Sequence, residues 1–343
     1  MGVCTALGCA SPALQKVVSS EELRHELPEK FQGKLDVKEV SQPESVTTPV
    51  LSGKIPRKKN EEKRKPRKEP IASAVQRKDF YLPRGRVINP ILLGEKHIFD
   101  VSYLGVVAGG CEMEVMPMKE IGGRKAFHVK GTSFSGSVFS MVYRINDRME
   151  TYFDQESLAS YRFHMFFDES SYSGDALQLV DPDKQESFFW SRTSTPSRGF
   201  REKKLTESNT GWVQDSFSAV YYVRTLALRD GESFSFPLVA EGKQLEAKVQ
   251  VVGRETYSGP SVKIRAIKLK VDIHYQGMLQ KRGNSYMWIS DDENRQILRL
   301  DASVKIGTVS ISLRNWVRGQ GKIEKAEAFD RSLSTSGSGA PEL

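Results

Sequence analysis

Cysteine is scarce in this chain, and its absence excludes a framework of disulfides. There are three (Cys4, Cys9 and Cys111), two of them within the first nine residues. No stretch of eighteen or more apolar residues occurs, which excludes a transmembrane helix of ordinary length. Catalytic signatures are also missing. The chain has no Gly-x-x-x-x-Gly-Lys-Ser/Thr phosphate loop, no His-Glu-x-x-His and no Gly-x-Ser-x-Gly elbow. Gly131–Gly136 (GTSFSG) has the composition of a nucleophile turn with the wrong spacing, and is expected to bend a strand instead. Only five histidines are present, none spaced i, i+2 or i+4 from another. A zinc site would need them to converge through the fold, and only His128 and His164, expected on neighbouring strands, offer a pair. No metal or cofactor is expected.

What is abundant is charge, in one place. The net charge of +8 divides into −2 over residues 1–53, +6 over 54–70 and +4 over the rest. Residues 54–70 hold nine Lys/Arg, including Arg57, Lys58, Lys59, Lys63, Arg64 and Lys65. Clustered Lys/Arg can bind an anionic surface by counterion release. Pro and Glu interrupt the run and no aromatic is interleaved for base stacking, so nucleic acid is not the expected partner. A self-repelling spacer between domain and anchor is the favoured reading.

Residues 10–79 contain seven prolines, few aromatics and no sustained period. Such a segment buries too little apolar area to offset its ordering entropy, and is expected to be a disordered leader. One short helix over Ser20–Glu29 fits, capped by Ser20 with Glu21 and Glu22 at its positive end. At the start, Ala6–Pro12 (ALGCASP) resembles a bacterial lipobox, in which small residues precede a lipid-modified cysteine, here Cys9. Ala6 departs from the usual Leu, and residues 1–9 read as a truncated signal segment. Met1–Cys4 offers an alternative acylated terminus, but Ala6 stands where Ser or Thr would be needed.

From His97 the pattern changes to short apolar runs broken by turn residues. Strands are expected over Lys96–Leu104, Cys111–Met116 and Lys125–Ser133, with Cys111 and Met113 alternating with Glu112 and Glu114. Ser140–Ile145 and Arg148–Phe153 read as a hairpin about Asn146–Asp147. Leu158–Phe167 and Ser187–Trp190 follow. Residues 191–211 are expected as the least ordered loop. Phe217, Val220, Tyr221, Arg224 and Leu228 recur at helical spacing behind a cap at Asp215 or Ser216. Strands resume over Ser233–Val239, Leu245–Gly253, Ser261–Asp272, Ser285–Ser290, Gln296–Ile306 and Thr308–Leu313. Gly242–Lys243 and Asp291–Asn294 serve as turns, the latter favoured over a calcium loop because it lacks alternating ligands. Short connections make neighbours antiparallel. The expected architecture is mainly β: a large curved antiparallel sheet or incomplete barrel wrapping one helix across residues 80–318, with residues 319–343 as a tail.

Several stretches carry a family resemblance. Residues 103–115 (YLGVVAGGCEMEV), 142–152 (VYRINDRMETY), 219–226 (AVYYVRTL), 288–295 (WISDDENR) and 304–309 (VKIGTV) together resemble the bacterial Domain of Unknown Function 3108, over roughly residues 97–314. The resemblance implies a β-rich envelope protein, exported or lipid-anchored, and assigns no activity. The long basic leader departs from the family's usual layout.

Aromatics are the main candidates for binding. Tyr143, Trp190, Tyr222 and Trp288 are expected on the concave face of the sheet, where an acyl chain, glycan or peptide would lie. Arg224, among apolar helix neighbours, is a candidate partner for an anionic headgroup or carboxylate, against the plainer reading of a structural ion pair. The leading functional expectation is a non-catalytic lipoprotein on the periplasmic side of the bacterial cell envelope, anchored in the outer membrane. Its half-open domain would bind a ligand or an envelope partner protein. The alternative is a hydrolase or transferase using carboxylates inside the sheet, which requires at least two convergent titratable groups in a polar cavity.

Overall fold

A computed structural model describes residues 26–40, 84–260, 263–275, 278–279, 285–303 and 307–319. Cys9, the basic run and the greater part of the expected Ser20–Glu29 helix lie outside these residues.

Most of the described chain is strand. A 3-10 turn (Glu29–Phe31) precedes β1 (Lys38–Glu39). The first half of the domain holds β2 (Lys96–Tyr103), β3 (Val106–Ile121), β4 (Arg124–Ser135), a four-residue helix α1 (Ser137–Ser140) and β5 (Asn146–Asp154). It continues with β6 (Ser160–Asp168), β7 (Ser173–Asp181), β8 (Glu186–Thr195) and β9 (Gly199–Ser208). After α2 (Ser218–Arg224) come β10 (Ser233–Ala240), β11 (Lys243–Ser258), β12 (Lys263–Tyr275) and β13 (Met278–Leu279). The last strands are β14 (Ser285–Ser290), β15 (Ile297–Ser303) and β16 (Thr308–Val317).

The main strands form one antiparallel sheet in the order β10-β11-β12-β14-β15-β16-β2-β3-β4-β5-β6-β7-β8-β9. This is a meander in two halves, fused where β16 pairs β2, with Leu313 opposite Phe99. A closed barrel would need β9 to pair β10, and it does not: the sheet stays open at that seam. Residues 209–232, with α2, fill the gap. Gln214 lies beside β10, donating its N–H to Pro237 O at 3.0 Å and accepting from Val239 N at 2.8 Å, while Ser160 N donates to Val213 O at 2.9 Å. Pro237 is tolerated because β10 is an edge strand. At the other end of the seam the β10–β11 turn leans on β8 and β9. A Cβ at Gly242 (φ +80°) would fall 2.8 Å from Phe189 Cβ and 2.9 Å from Leu205, so only glycine fits.

Cross-strand partners share a face, so the register sorts the side chains. The inner face carries Met113, Val115, Val129, Phe153, Val249, Leu269 and Met287, and α2 packs on it through Tyr221 and Tyr222, with Leu226 just beyond the helix. Gly131 is bare on this face, with a virtual Cβ 2.7 Å from Phe217, which makes room for the start of α2. Asp215 fixes that start. Its Oδ1 accepts from the N–H of Phe217 and Ser218, both at 2.8 Å. Its Oδ2 accepts from Thr151 and Ser160 hydroxyls at 2.7 and 2.6 Å. The expected cap is thus also a bolt to β5 and β6. The helix ends at Arg224 and not near Leu228, because Leu226 is drawn into an extended bridge with Arg86.

Four expectations need correction. Met141 and Val142 are a turn, Ile145 makes only an isolated bridge to Glu169, and β5 begins at Asn146, so no hairpin turns on Asn146–Asp147. Residues 191–211 are mostly strand: β9 is an edge strand exposed on both faces, and lacks the alternation that marks a half-buried one. The strand β7 belongs to the sheet although no strand is expected there from sequence. Residues 26–40 of the leader dock on the outer face of the sheet, burying Leu27, Phe31 and Leu35 against Tyr152, Leu177, Leu179, Phe188 and Trp190.

Candidate functional site

The five aromatic and basic candidates do not converge. Arg224 is wholly buried, and its Nη1 and Nη2 donate to Glu95 Oε1 and Oε2 at 2.6 and 2.9 Å. Its remaining donors reach the carbonyls of Arg295 (2.8 Å) and Asn294 (3.1 Å) in the β14–β15 turn. Burial works to lower the Arg224 pKa, but Glu95 outweighs it and the group stays charged above its ordinary value. The plainer reading, a structural ion pair, is what the geometry shows. Tyr222 is core, edge-on to Trp212 and Phe236, with its hydroxyl donating to Arg84 O at 3.1 Å.

Trp190 and Trp288 lie on the outer face, which corrects their expected place on the concave one. Trp190 is covered by the docked leader and donates its Nε1–H to Glu202 at 2.6 Å. Trp288 shares a face with Lys268 and Arg299, both cations lying over its ring, and donates to Glu255 at 2.6 Å. Only Tyr143 sits at an exposed apolar surface.

That surface is the strongest candidate site. Thirteen large apolar side chains are exposed among the described residues, and nine fall in two segments, 103–107 and 134–143. The segments adjoin at one end of the sheet, where Gly136 N donates to Ala108 O at 2.8 Å and Gly109 pairs with Ser135. Tyr103, Leu104, Val106 and Val107 form one lobe; Phe134, Val138, Met141, Val142 and Tyr143 form the other. Met141 and Val142 stand 80% and 86% exposed, which makes them protruding tips and not partly covered core.

The tips are tied down from below by hydrogen bonds. Arg144 grips Asp168 with two hydrogen bonds, at 2.6 and 2.8 Å. Its backbone N–H donates to Ser170 Oγ at 2.8 Å, and Ser170 N returns a bond to Arg144 O at 2.9 Å. The Tyr143 hydroxyl donates to Glu169 and accepts from Ser171 Oγ at 3.1 Å. Ile145 N donates to Ser135 Oγ at 2.9 Å. Polar groups around the turn therefore face the β6–β7 connection and leave an apolar crest. In sequence, Met141, Val142 and Tyr143 fall within Ser140–Ile145, which reads as a strand because that reading assumes apolar residues are buried.

The carboxylates of Glu150 and Asp154 on β5 and of Asp175 on β7 lie on the outer face and are engaged in structural work. Asp154 accepts from Arg124, Ser157 and Tyr161. Asp175 holds Arg192 through two bonds of 3.0 Å and contacts His164 Nε2 at 3.0 Å. His128 and His164 are on β4 and β6 with β5 between them, so they are not on neighbouring strands. Glu150 of β5 lies 3.3 Å from His128. Burial works to raise the Glu150 pKa, but His128 and Tyr152 outweigh it and hold the group at about 2. Among the described residues no group of three or more His, Cys, Asp or Glu could hold a metal ion. In the Asp291–Asn294 turn, Asp292 Oδ1 is taken by Ser290 Oγ and the N–H groups of Asn294 and Arg295.

The seam, the inward helix and the apolar crest define a barrel-like β-domain of open-sheet type. Residues 98–314 match the family described as protein of unknown function DUF3108, and since this is over half of the chain, the protein belongs to that family. Comparison with curated proteins returns no match. Among solved structures, a beta-barrel-like DUF1849 protein from Brucella abortus is similar at 8% identity and TM-score 0.43, covering 66% of this chain and 97% of its own. A Bacteroides fragilis protein, provisionally described as exported and with a YmcC-like fold, is similar at 11% identity and TM-score 0.30, covering 68% and 99%. A Parabacteroides distasonis protein, provisionally described as a lipoprotein, is similar at 10% identity and TM-score 0.27, covering 69% and 98%.

Proposed function

We propose that this protein is a non-catalytic lipoprotein of the bacterial envelope, anchored through Cys9 on the periplasmic side of the outer membrane. Its open β-domain uses the apolar crest to hold a hydrophobic or amphipathic ligand or a partner protein. The observation that carries the binding reading is the exposed display of Met141 and Val142 on a segment adjoining that of Leu104, Val106 and Val107. Exposed aliphatic tips clamped by polar bonds are costly to keep unless something covers them. Support for a non-catalytic role is that Glu95, Asp154, Asp175 and Asp215 are each committed to ion pairs, caps or strand-to-strand bolts. On this reading Arg57, Lys58, Lys59, Lys63, Arg64 and Lys65 meet anionic headgroups near the anchor.

The test is native mass spectrometry on full-length protein purified gently from the envelope fraction. Expected are an acyl mass on the peptide containing Cys9 and a bound amphipathic molecule or protein, the latter lost in Met141→Asp/Val142→Asp. An unmodified Cys9 would remove the anchor, and identical bound species in wild type and variant would remove the crest as the binding surface.

A further inference from the structure

Residues 26–40 lie outside the family's matched region, yet they dock on it as a built complex. Leu27, Phe31 and Leu35 follow one another at four-residue intervals and fill an apolar groove on the outer face of β5–β8, where Phe31 meets the Phe188 ring at 5.6 Å. Lysines on the segment meet an acidic rim. Lys30 Nζ lies 2.6 Å from Glu186, and Lys34 Nζ lies 2.7 and 3.0 Å from Asp181 and Asp183. Lys184 Nζ donates back to Lys30 O at 3.2 Å. The segment ends as β1, pairing Lys38 with Glu120 and Glu39 with Lys119. That is the part of β3 beyond its pairing with β2, which stops at Glu114. Apolar spacing, charge complementarity and strand addition therefore all act on one short segment.

We infer that residues 26–40 are a strap that takes up the leader, so that the basic run is not the spacer between anchor and domain. The strap holds the chain to the domain through Val40. The chain is held again at Arg84, whose carbonyl accepts from Tyr222 and whose guanidinium lies over Trp212. Residues 54–70 fall between these two attachments, and tension on the N-terminus does not pass through them. What remains between Cys9 and the domain is residues 10–25, which reach on the order of 55 Å fully extended. Without the strap, residues 10–83 would reach on the order of 260 Å. The consequence for distance from a membrane rests on the lipoprotein reading. The strap itself does not.

The two are separable by cutting the chain. A specific protease site is placed within residues 54–70 of the full-length protein, the chain is cleaved, and the products are run on a sizing column. The N-terminal fragment is expected to co-elute with the domain in wild type and to elute apart in Phe31→Asp/Leu35→Asp. Lys30→Glu should loosen retention several-fold, and Lys30→Glu/Glu186→Lys should restore it. Both sites of this swap are partly exposed, so the domain keeps its fold. A wild-type fragment that elutes apart, a Phe31→Asp/Leu35→Asp fragment that still co-elutes, or a charge swap without rescue would overturn the strap. Cys9 acylation affects none of these readouts.

Discussion

At one end of the sheet a buried Arg224 is gripped by Glu95 and two carbonyls, while at the other Met141 and Val142 stand almost wholly in water. Both arrangements break the rule that charge goes outside and apolar residues inside. They differ in what satisfies them. The Arg224 network is complete within the chain: it ties α2 to the residue before β2 and to the β14–β15 turn, so one side chain joins both halves of the fused sheet. Among the described residues nothing covers the apolar crest. A violation closed internally reads as architecture, and one left open reads as a contact surface.

The comparison breaks first at Arg224. Removing one partner leaves the other charged and buried, so Glu95→Ala or Arg224→Ala should cost about 3–5 kcal/mol in denaturant unfolding. Replacing both by apolar residues of similar volume should recover much of that loss, less the bonds to Asn294 and Arg295. A single substitution costing under about 1 kcal/mol would mean that α2 is held by its apolar face alone.

A smaller effect lies next to the pair. His97 is buried against Phe99 and Trp316, its Nε2 accepts from Ile297 N at 3.4 Å, and its Nδ1 lies 3.6 Å from Glu95. Burial, and after it the Arg224 charge, hold its pKa well below the ordinary 6.5, so the folded protein keeps the ring neutral. His164, also buried, is lowered by the same cause despite Asp175. Between the folded pKa and about 6.5 the unfolded chain binds more protons than the folded one, so stability falls as pH drops below about 6.5. Thermal melts from pH 7.5 to 5.5 should show this loss, and His97→Leu should make the slope shallower. An unchanged slope in the variant would assign the acid sensitivity elsewhere.

How much of this was legible in the sequence depends on whether a residue obeys the alternation. β14 is legible at its observed bounds, Ser285–Ser290, because a short apolar and aromatic run there is bounded by Gly283–Asn284 and by the Asp291–Asn294 turn. The cap, offered as Asp215 or Ser216 and found at Asp215, the open antiparallel sheet and the family resemblance are legible because each shows in short stretches of sequence. β9 was missed because an edge strand open on both faces has no dry side to advertise itself. The strap was missed because three apolar residues among Pro28 and Gly33 look too sparse to fold, and their groove is built by strands far along the chain. Arg224 was singled out, but its partner Glu95 lies 129 residues away and no spacing announces it. The crest was misread in the most instructive way. Ser140–Ile145 reads as the first arm of a hairpin on the premise that apolar residues such as Met141, Val142 and Tyr143 seek the core, and at a contact surface that premise fails.

The smallest expected effect is the sharpest test of that distinction. Met141 and Val142 contribute little to folding, since a side chain four-fifths exposed gives up almost none of its water on folding. Met141→Asp/Val142→Asp should therefore change unfolding stability by no more than about 0.5 kcal/mol. The clamp beneath it, from Arg144 to Asp168, is left untouched, so the turn keeps its shape. If the melt is unchanged while the bound species is lost, the crest belongs to binding. If the variant instead loses about 2 kcal/mol or more, the crest packs on something within the chain, and its contrast with Arg224 disappears because both would then be internal supports.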